Sequence, residues 1–445
     1  MRISERSTPV VVLKPDHHGA LGIFRTLGRL GVKVYGVGSD PWSPGMTSGY
    51  CREQFVFKAN GKLGDELVDF LHGVAGKIGQ RAILTCANDV SRVFLAEYAD
   101  KLKKNFIVPD MPLETVRALS DKKQMYLLCK KYGVPTAETL FPQNREDILR
   151  WLKNGQLRLP VMLKGIDGFL LERRQLPKML IARTLEDLLH NYERMETPEA
   201  PNLMLQEYIP GGDDSIWMFN GYFNKDSECL IGIAGRKLRQ YPVNTGSTSL
   251  GICLRNEAVE GSTKKLMNAV GYRGVLDIGY RYDARDGQYK LLDVNPRIGA
   301  TFRLFVAADG MDVVRAMYLD LTGQPVSSAP PLEGRKWMVE NNDVISFRRY
   351  RAKRELKFSE WLWSLRGVQE VAWFAWDDLL PFVIMAGEFF SQLARWGAKK
   401  LNPFRKAAGQ NASGSLAERH AAASNPHPPQ AVIVPAESAT EEISR

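Results

Sequence analysis

Lys290-Leu-Leu-Asp-Val-Asn-Pro-Arg297 is the stretch whose reading decides the fold. Asp293 stands sixteen residues after Asp277 of Gly274-Val-Leu-Asp-Ile-Gly279. The two apolar runs read as strands joined by a tight turn at Ala284-Arg-Asp-Gly287, with Gly287 as the left-handed residue. Alternate residues of a strand share a face, so Asp293 pairs in direction with Asn295, and Asp277 with Gly279. A loop with an odd number of residues would put Asp277 on the side of Asp293, whereas a strict two-residue Asp-Gly turn would put it opposite. With the odd loop, two carboxylates and an amide oxygen converge. Hard oxygen ligands of that kind suit Mg²⁺ shared with nucleotide phosphates.

Other segments precede this hairpin in a definite order. Asp121-Lys122-Lys123 opens a capped helix that runs to Tyr132 and is ended by Gly133 and Pro135. Val161-Met-Leu-Lys164 follows, then Gln206-Glu-Tyr-Ile-Pro-Gly-Gly-Asp-Asp-Ser215, then Arg236-Lys237. In this order the segments resemble the ATP-grasp superfamily over roughly residues 8–325. They are most similar to its ATP-dependent carboxylate–amine ligases.

The resemblance implies an N-terminal α/β (pre-ATP-grasp, Rossmann-like) domain, an α+β ATP-grasp domain and a helical C-terminal extension. It implies ATP and Mg²⁺ as cofactors, and a small-molecule carboxylate and amine as substrates. Glu207 would sit near the adenine amine, with the backbone of Tyr208 and Ile209 reading the base edge. Asp214 would accept from the ribose hydroxyls, with Asp213 as its rival. Lys122 and Lys164 would face the α- and β-phosphates, with Lys123 the rival of Lys122. Arg236 or Lys237 would face the γ-phosphate. Asp277, Asp293 and Asn295 would be the metal ligands. Arg297 would hold a carboxylate, and Arg303 either does the same or forms an ordinary ion pair. Lys164 also stands out without the resemblance, because a charge at the end of an apolar strand is costly without an anion.

Two departures from the family pattern stand in the sequence. The run after Lys164 has two glycines and then bulky residues, so a glycine-rich phosphate lid is absent or differently made. Gly279 stands where many relatives carry a glutamate ligand, and either Asp277 replaces it or the site is under-liganded. The alternatives to a ligase are therefore a non-catalytic or weakened nucleotide-binding protein at a membrane surface, and a component like biotin carboxylase.

The 445 residues exceed one ordinary domain. The balance of 44% apolar and 25% charged is that of a globular protein, with a net charge of +10. No basic block interleaved with aromatics stands in the first 325 residues, so nucleic acid is not expected as a partner. Five scattered cysteines form no CxxC pair, as expected for free thiols in the cytoplasm. The N-terminus lacks an apolar leader, and no run of 18 apolar residues predicts a membrane span.

Alternating strands and helices over residues 1–120 predict a parallel sheet. His17 and His18, after its first strand, are either a surface loop or substrate contacts. Residues 121–328 form the second unit, with a lid over about 122–205 and a core over about 206–328. The polar loop Tyr241 to Ser249 either lines the acceptor side or only connects strands. Residues 329–406 carry six of the nine tryptophans. Within them, 379–406 predicts a helix that either packs on the core or lies on the inner face of a membrane, with Lys399, Lys400, Arg405 and Lys406 near its headgroups. The tail over 407–445 has the composition of a disordered segment.

Overall fold

In the computed structural model, residues 3–58, 63–109, 111–197, 199–244, 246–327 and 329–401 are described, apart from the side chains of Phe169 and of 396–401. The expected disorder over 407–445, and Arg405 and Lys406, lie outside these residues.

The first unit is a five-stranded parallel sheet in the order β3-β2-β1-β4-β5, from β1 (Val10–Leu13), β2 (Val34–Gly38), β3 (Cys51–Val56), β4 (Ala82–Cys86) and β5 (Phe106–Ile107). Every residue of β1, β2 and β4 is buried, as the unbroken apolar runs require of parallel strands covered on both faces. His17 is the N-cap of the helix His18–Gly28; its Nδ1 accepts from the Gly19 amide at 3.0 Å. His18 packs against Trp337 and Trp373. Both histidines thus have structural positions, rather than lying in a surface loop.

The second sheet is four-stranded and antiparallel in the order β6-β9-β7-β8, from β6 (Thr139–Leu140), β7 (Val161–Gly165), β8 (Met179–Ala182) and β9 (Leu203–Glu207). Val161, Leu163, Ala182, Leu203 and Leu205 turn inward to a core shared with the helices Arg145–Lys153 and Leu185–Met195. By the period of two, Met162, Lys164, Met179 and Ile181 turn to the other face.

The third sheet has seven strands in the order β14-β13-β10-β11-β12-β15-β16. These are β10 (Ile216–Phe223), β11 (Cys229–Tyr241), β12 (Ser247–Cys253), β13 (Gly274–Asp283), β14 (Gln288–Asn295), β15 (Lys336–Met338) and β16 (Val368–Val371). Its two final strands come from the tryptophan-rich region, so the extension is not purely helical and is continuous with the central sheet. Trp337 of β15 is 2% exposed in the main core.

The β13–β14 hairpin departs from the expected geometry. Asp283 pairs with Gln288, so the loop has four residues, an even number, with Gly287 at φ 71°. The odd residue lies within the strand instead. Tyr280 pairs with Leu291 but Gly279 pairs with Asp293, leaving Leu292 as a bulge. That one extra residue brings Asp277 opposite Asn295 and Gly279 opposite Asp293, all on one face.

Candidate active site

A cleft of roughly 530 Å³ lies between the Lys164 face of the four-stranded sheet and the Asp277 face of the seven-stranded sheet, a size suited to a nucleotide-sized ligand. Lys122, Lys164, Glu207, Tyr208, Ile209, Lys237, Asp277, Asp293, Asn295 and Arg297 all line it. These residues are far apart in sequence, and only the meeting of the two sheets brings them together.

Three lysines line the cleft, Lys164 from the four-stranded sheet and Lys237 from β11 beside the Asp277 face. The Lys164 ammonium is buried and donates to Gln206 Oε1 at 2.7 Å. Burial pushes its pKa down to about 8, against the pull of Asp293. Lys237 donates to the Gly246 carbonyl at 2.7 Å. Burial also pushes it down to about 8, opposed by Asp213, Asp277 and Asp293. Lys122 donates to the Ile166 carbonyl at 2.9 Å. Lys123 points elsewhere, onto the ring of Phe141.

The carboxylates stand on β13 and β14. Asp277 accepts from Asn220 Nδ2 at 3.0 Å and faces Asn295 Nδ2 and Arg297 at 3.5 Å. Burial pushes its carboxyl above the usual range, and Arg297 and Asn220 offset this only in part. Arg297 also donates to Asp89 at 2.9 Å, which ties the site to the N-terminal unit.

This donor set fits a divalent cation. Burial holds the Asp277 carboxyl above its usual range, Asp293 and Asn295 share its face, and the buried Oδ1 of Asn220 has no hydrogen-bond partner. Among the described residues no three His, Cys, Asp or Glu side chains cluster as a metal cage. The set therefore suits an ion whose remaining ligands come from a substrate, as phosphates do for Mg²⁺. Beside Gly279, space is open where a Cβ would stand.

Two sequence expectations are corrected, and of the two readings of Arg303 the ion pair is the one observed. Arg236 does not reach the cleft. It pairs with Trp217 in the sheet, shares its face and lies over its ring, on the side opposite Lys237. Asp213 lines the cleft and Asp214 does not; Asp213 is held there by Gln240 Nε2 at 2.7 Å and by the Tyr350 hydroxyl. Arg303 is a largely buried structural residue that bridges Asp312 and Glu370. In place of a glycine-rich lid, the chain after β7 forms the short helix Gly168–Arg173. The polar stretch leading into β12 does line the cleft, through Asn244 and Gly246 before the strand and Ser247 and Thr248 at its start.

No family model matches the chain. It is 25% identical over 248 residues to the D-aspartate ligase of Enterococcus faecium, a match that covers 53% of this chain and 58% of that protein. It is 21% identical over 221 residues to the carbamoyl phosphate synthase large chain of Thermus thermophilus, covering 48% of this chain and 20% of that one. The chain thus spans little more than half of the first relative and a fifth of the second. Among solved structures, N5-carboxyaminoimidazole ribonucleotide synthetase from Thermus thermophilus aligns with a TM-score of 0.55 at 17% identity, over 72% of this chain and 80% of that one. L-amino acid ligase from Bacillus licheniformis aligns with a TM-score of 0.53 at 14% identity, over 74% and 76%. This is an ATP-grasp fold.

Within the ATP-grasp frame, the sequence reading had missed a charged residue of the cleft and a buried polar partner of Asp277. Arg281 lines the cleft two residues beyond Gly279 and donates to the Gly211 carbonyl at 2.6 Å. Asn220 is fully buried against Asp277. The period of two along β13 would have found Arg281. Asn220 lies in an apolar strand with no motif around it, so only its pairing with Asp277 reveals it.

Proposed function

We propose that this protein is an ATP-dependent ligase that joins a carboxylate to an amine through an acyl phosphate, and that an amino acid supplies one of the two groups. The observation that carries the reading is the meeting, in one cleft, of Lys122, Lys164 and Lys237 with the carboxylates and amide of Asp277, Asp293 and Asn295. The two amino acid ligases among the similar proteins support the substrate class.

In this reading Glu207, Tyr208 and Ile209 hold the adenine, with Met162, Ile181 and Met218 supplying the apolar walls. Asp213 takes the ribose role in place of Asp214. Lys122, Lys164 and Lys237 neutralise the phosphates as point charges. Asp277, Asp293 and Asn295 would hold Mg²⁺, which would supply positive charge to offset that of the phosphates. Arg297 orients the substrate carboxylate for in-line attack. That carboxylate oxygen bonds to the γ-phosphorus as the bond to ADP breaks, and an amine then attacks the acyl carbon and expels phosphate. The protein's contribution is position and charge, with no nucleophile of its own.

An ATP-hydrolysis screen over D- and L-amino acids, paired with amines and with other carboxylates, tests this. Turnover that needs both partners supports the ligase. ATP binding without turnover in any pair would point to the non-catalytic alternative, and bicarbonate-dependent turnover to a carboxylase.

The lysines make the phosphate site testable. Lys164→Ala weakens ATP binding by about 10- to 100-fold, the scale of a charge-assisted contact. Lys123→Ala changes it less than about twofold, as for an exposed residue outside the site. Equal losses in titration calorimetry would mean that the phosphates lie elsewhere.

Binding also depends on pH. With pKa values near 8, Lys164 and Lys237 are cationic below that pH and lose their protons above it. A polyphosphate favours the charged lysines and so raises their pKa. Affinity therefore falls as pH rises through 8, by up to about tenfold per unit for each lysine. Binding just above that pH takes up protons. Calorimetry in two buffers of different ionisation heat measures that uptake, and a value of zero would contradict the assignment of both lysines.

A further inference from the structure

The helix Leu380–Leu401 is 22 residues long, about 33 Å at the rise of an α-helix. Its start is fixed to the N-terminal unit. Asp378 receives the buried Arg25 guanidinium at 2.8 Å, the Ser48 hydroxyl at 2.7 Å and the Gly49 amide at 2.8 Å. Asp377 takes both Arg29 and the Tyr50 hydroxyl. Beyond this anchor the helix leaves the body of the protein. Pro381 and Met385 are buried, but no described residue after Met385 is.

The sequence of this arm is not that of a solvated helix. Glu388, Ser391, Gln392 and Arg395 fall within a third of its circumference. Phe382, Val383, Phe389, Phe390 and Leu393 occupy the rest. Val383 and Phe390, seven residues apart on one face, are 59% and 67% exposed, and Trp376 just before the helix is 84% exposed. An apolar face of this extent marks a surface that meets another apolar phase.

Charge identifies that phase. Arg395 lies in the arm, and the sequence carries Lys399, Lys400, Arg405 and Lys406 at and beyond its end, with Glu388 as the arm's only acidic residue. The same pairing recurs one element earlier. Phe358, Leu362 and Trp363 are exposed and follow residues 348–357, in which six of ten are Arg or Lys. Exposed aromatic and aliphatic residues beside basic ones complement an anionic lipid surface. Among the described residues no helix is long and apolar enough to cross a membrane, so the fit is to the interface and not to the bilayer interior.

We propose that the helix Leu380–Leu401 lies in the surface of an anionic bilayer, with Val383 and Phe390 in the acyl boundary, and so holds the cleft at a membrane. The inference stands apart from the ligase reading, and its test contains no nucleotide.

The experiment is co-sedimentation of the full chain with vesicles of phosphatidylcholine, with and without phosphatidylglycerol, beside light scattering of the free protein. Binding is expected with the anionic vesicles only. It should fall at least about tenfold between low and high salt, as several basic contacts are screened. The doubly substituted Val383→Glu, Phe390→Glu protein should bind about tenfold or more weakly and keep its fold, since both side chains are exposed. Vesicle binding that the double substitution leaves intact overturns the assignment to this helix. A chain that stays monomeric and ignores vesicles overturns it as well. A dimer that ignores vesicles and that the substitutions split would overturn it too, and would show that a second copy covers the face.

Discussion

Asp293→Ala is expected to remove ATP turnover, by about 10²- to 10³-fold or more, and to leave the melting temperature nearly where it was. The scale is that of deleting one charged group that acts on a reacting phosphate. The separation of activity from stability follows from position. Asp293 sits near the end of β14 with an exposed side chain, beside the open space at Gly279. Exposed substitutions of this kind shift stability by about half a kcal/mol or less. Asp277 would be a poorer test. It is bonded to Asn220, faces Arg297 and packs against Gly299, where a Cβ would come within 2.6 Å of its Cγ. Its removal disturbs the fold and the site together. Asp293→Asn should behave like the alanine variant if charge is what matters. Full turnover in Asp293→Ala would end the metal assignment.

The hairpin also shows how far a sequence can be read. The two strands, the turn and Gly287 were legible, because apolar alternation and turn chemistry are local. The shared face of Asp277 and Asp293 was not decided by the turn. It depends on the bulge at Leu292, and nothing in a leucine within an apolar run announces a bulge. Adjacent residues posed the same difficulty. Arg236 and Lys237 are neighbours on β11 and point to opposite faces, and which one meets the cleft is fixed by the register against Trp217. Asp213 and Asp214 are separated by partners, Gln240 and Tyr350, that are remote in sequence. Lys164 was readable for a different reason. Its cost at the end of an apolar strand is visible without any neighbour.

The largest effect on stability is expected at Asp343, where the tryptophan-rich region joins the central sheet. Asp343 is fully buried on the helix Glu340–Ala352. Arg239 of β11 donates to both of its oxygens, at 2.8 and 2.9 Å. Ser249 of β12 donates at 3.2 Å and the Trp361 indole at 2.8 Å. One carboxylate thus gathers two strands of the sheet and two helices of the extension. Asp343→Ala leaves the buried Arg239 guanidinium without a counter-charge, a change that costs about 3–5 kcal/mol. In a domain of this size that lowers the melting temperature by on the order of 10 °C. Arg239→Met combined with Asp343→Leu removes the charge and the counter-charge together, and should recover most of the loss, because an apolar pair in a buried site is often as stable as the ion pair. Were the region after residue 329 a module appended to a complete ATP-grasp core, cutting this link would leave the core's melting almost unchanged. A fall of under about 2 °C in Asp343→Ala, well short of the cost of one stranded buried charge, would establish that independence. A large fall rescued by the apolar pair would show instead that β11, β12 and the extension unfold as one unit.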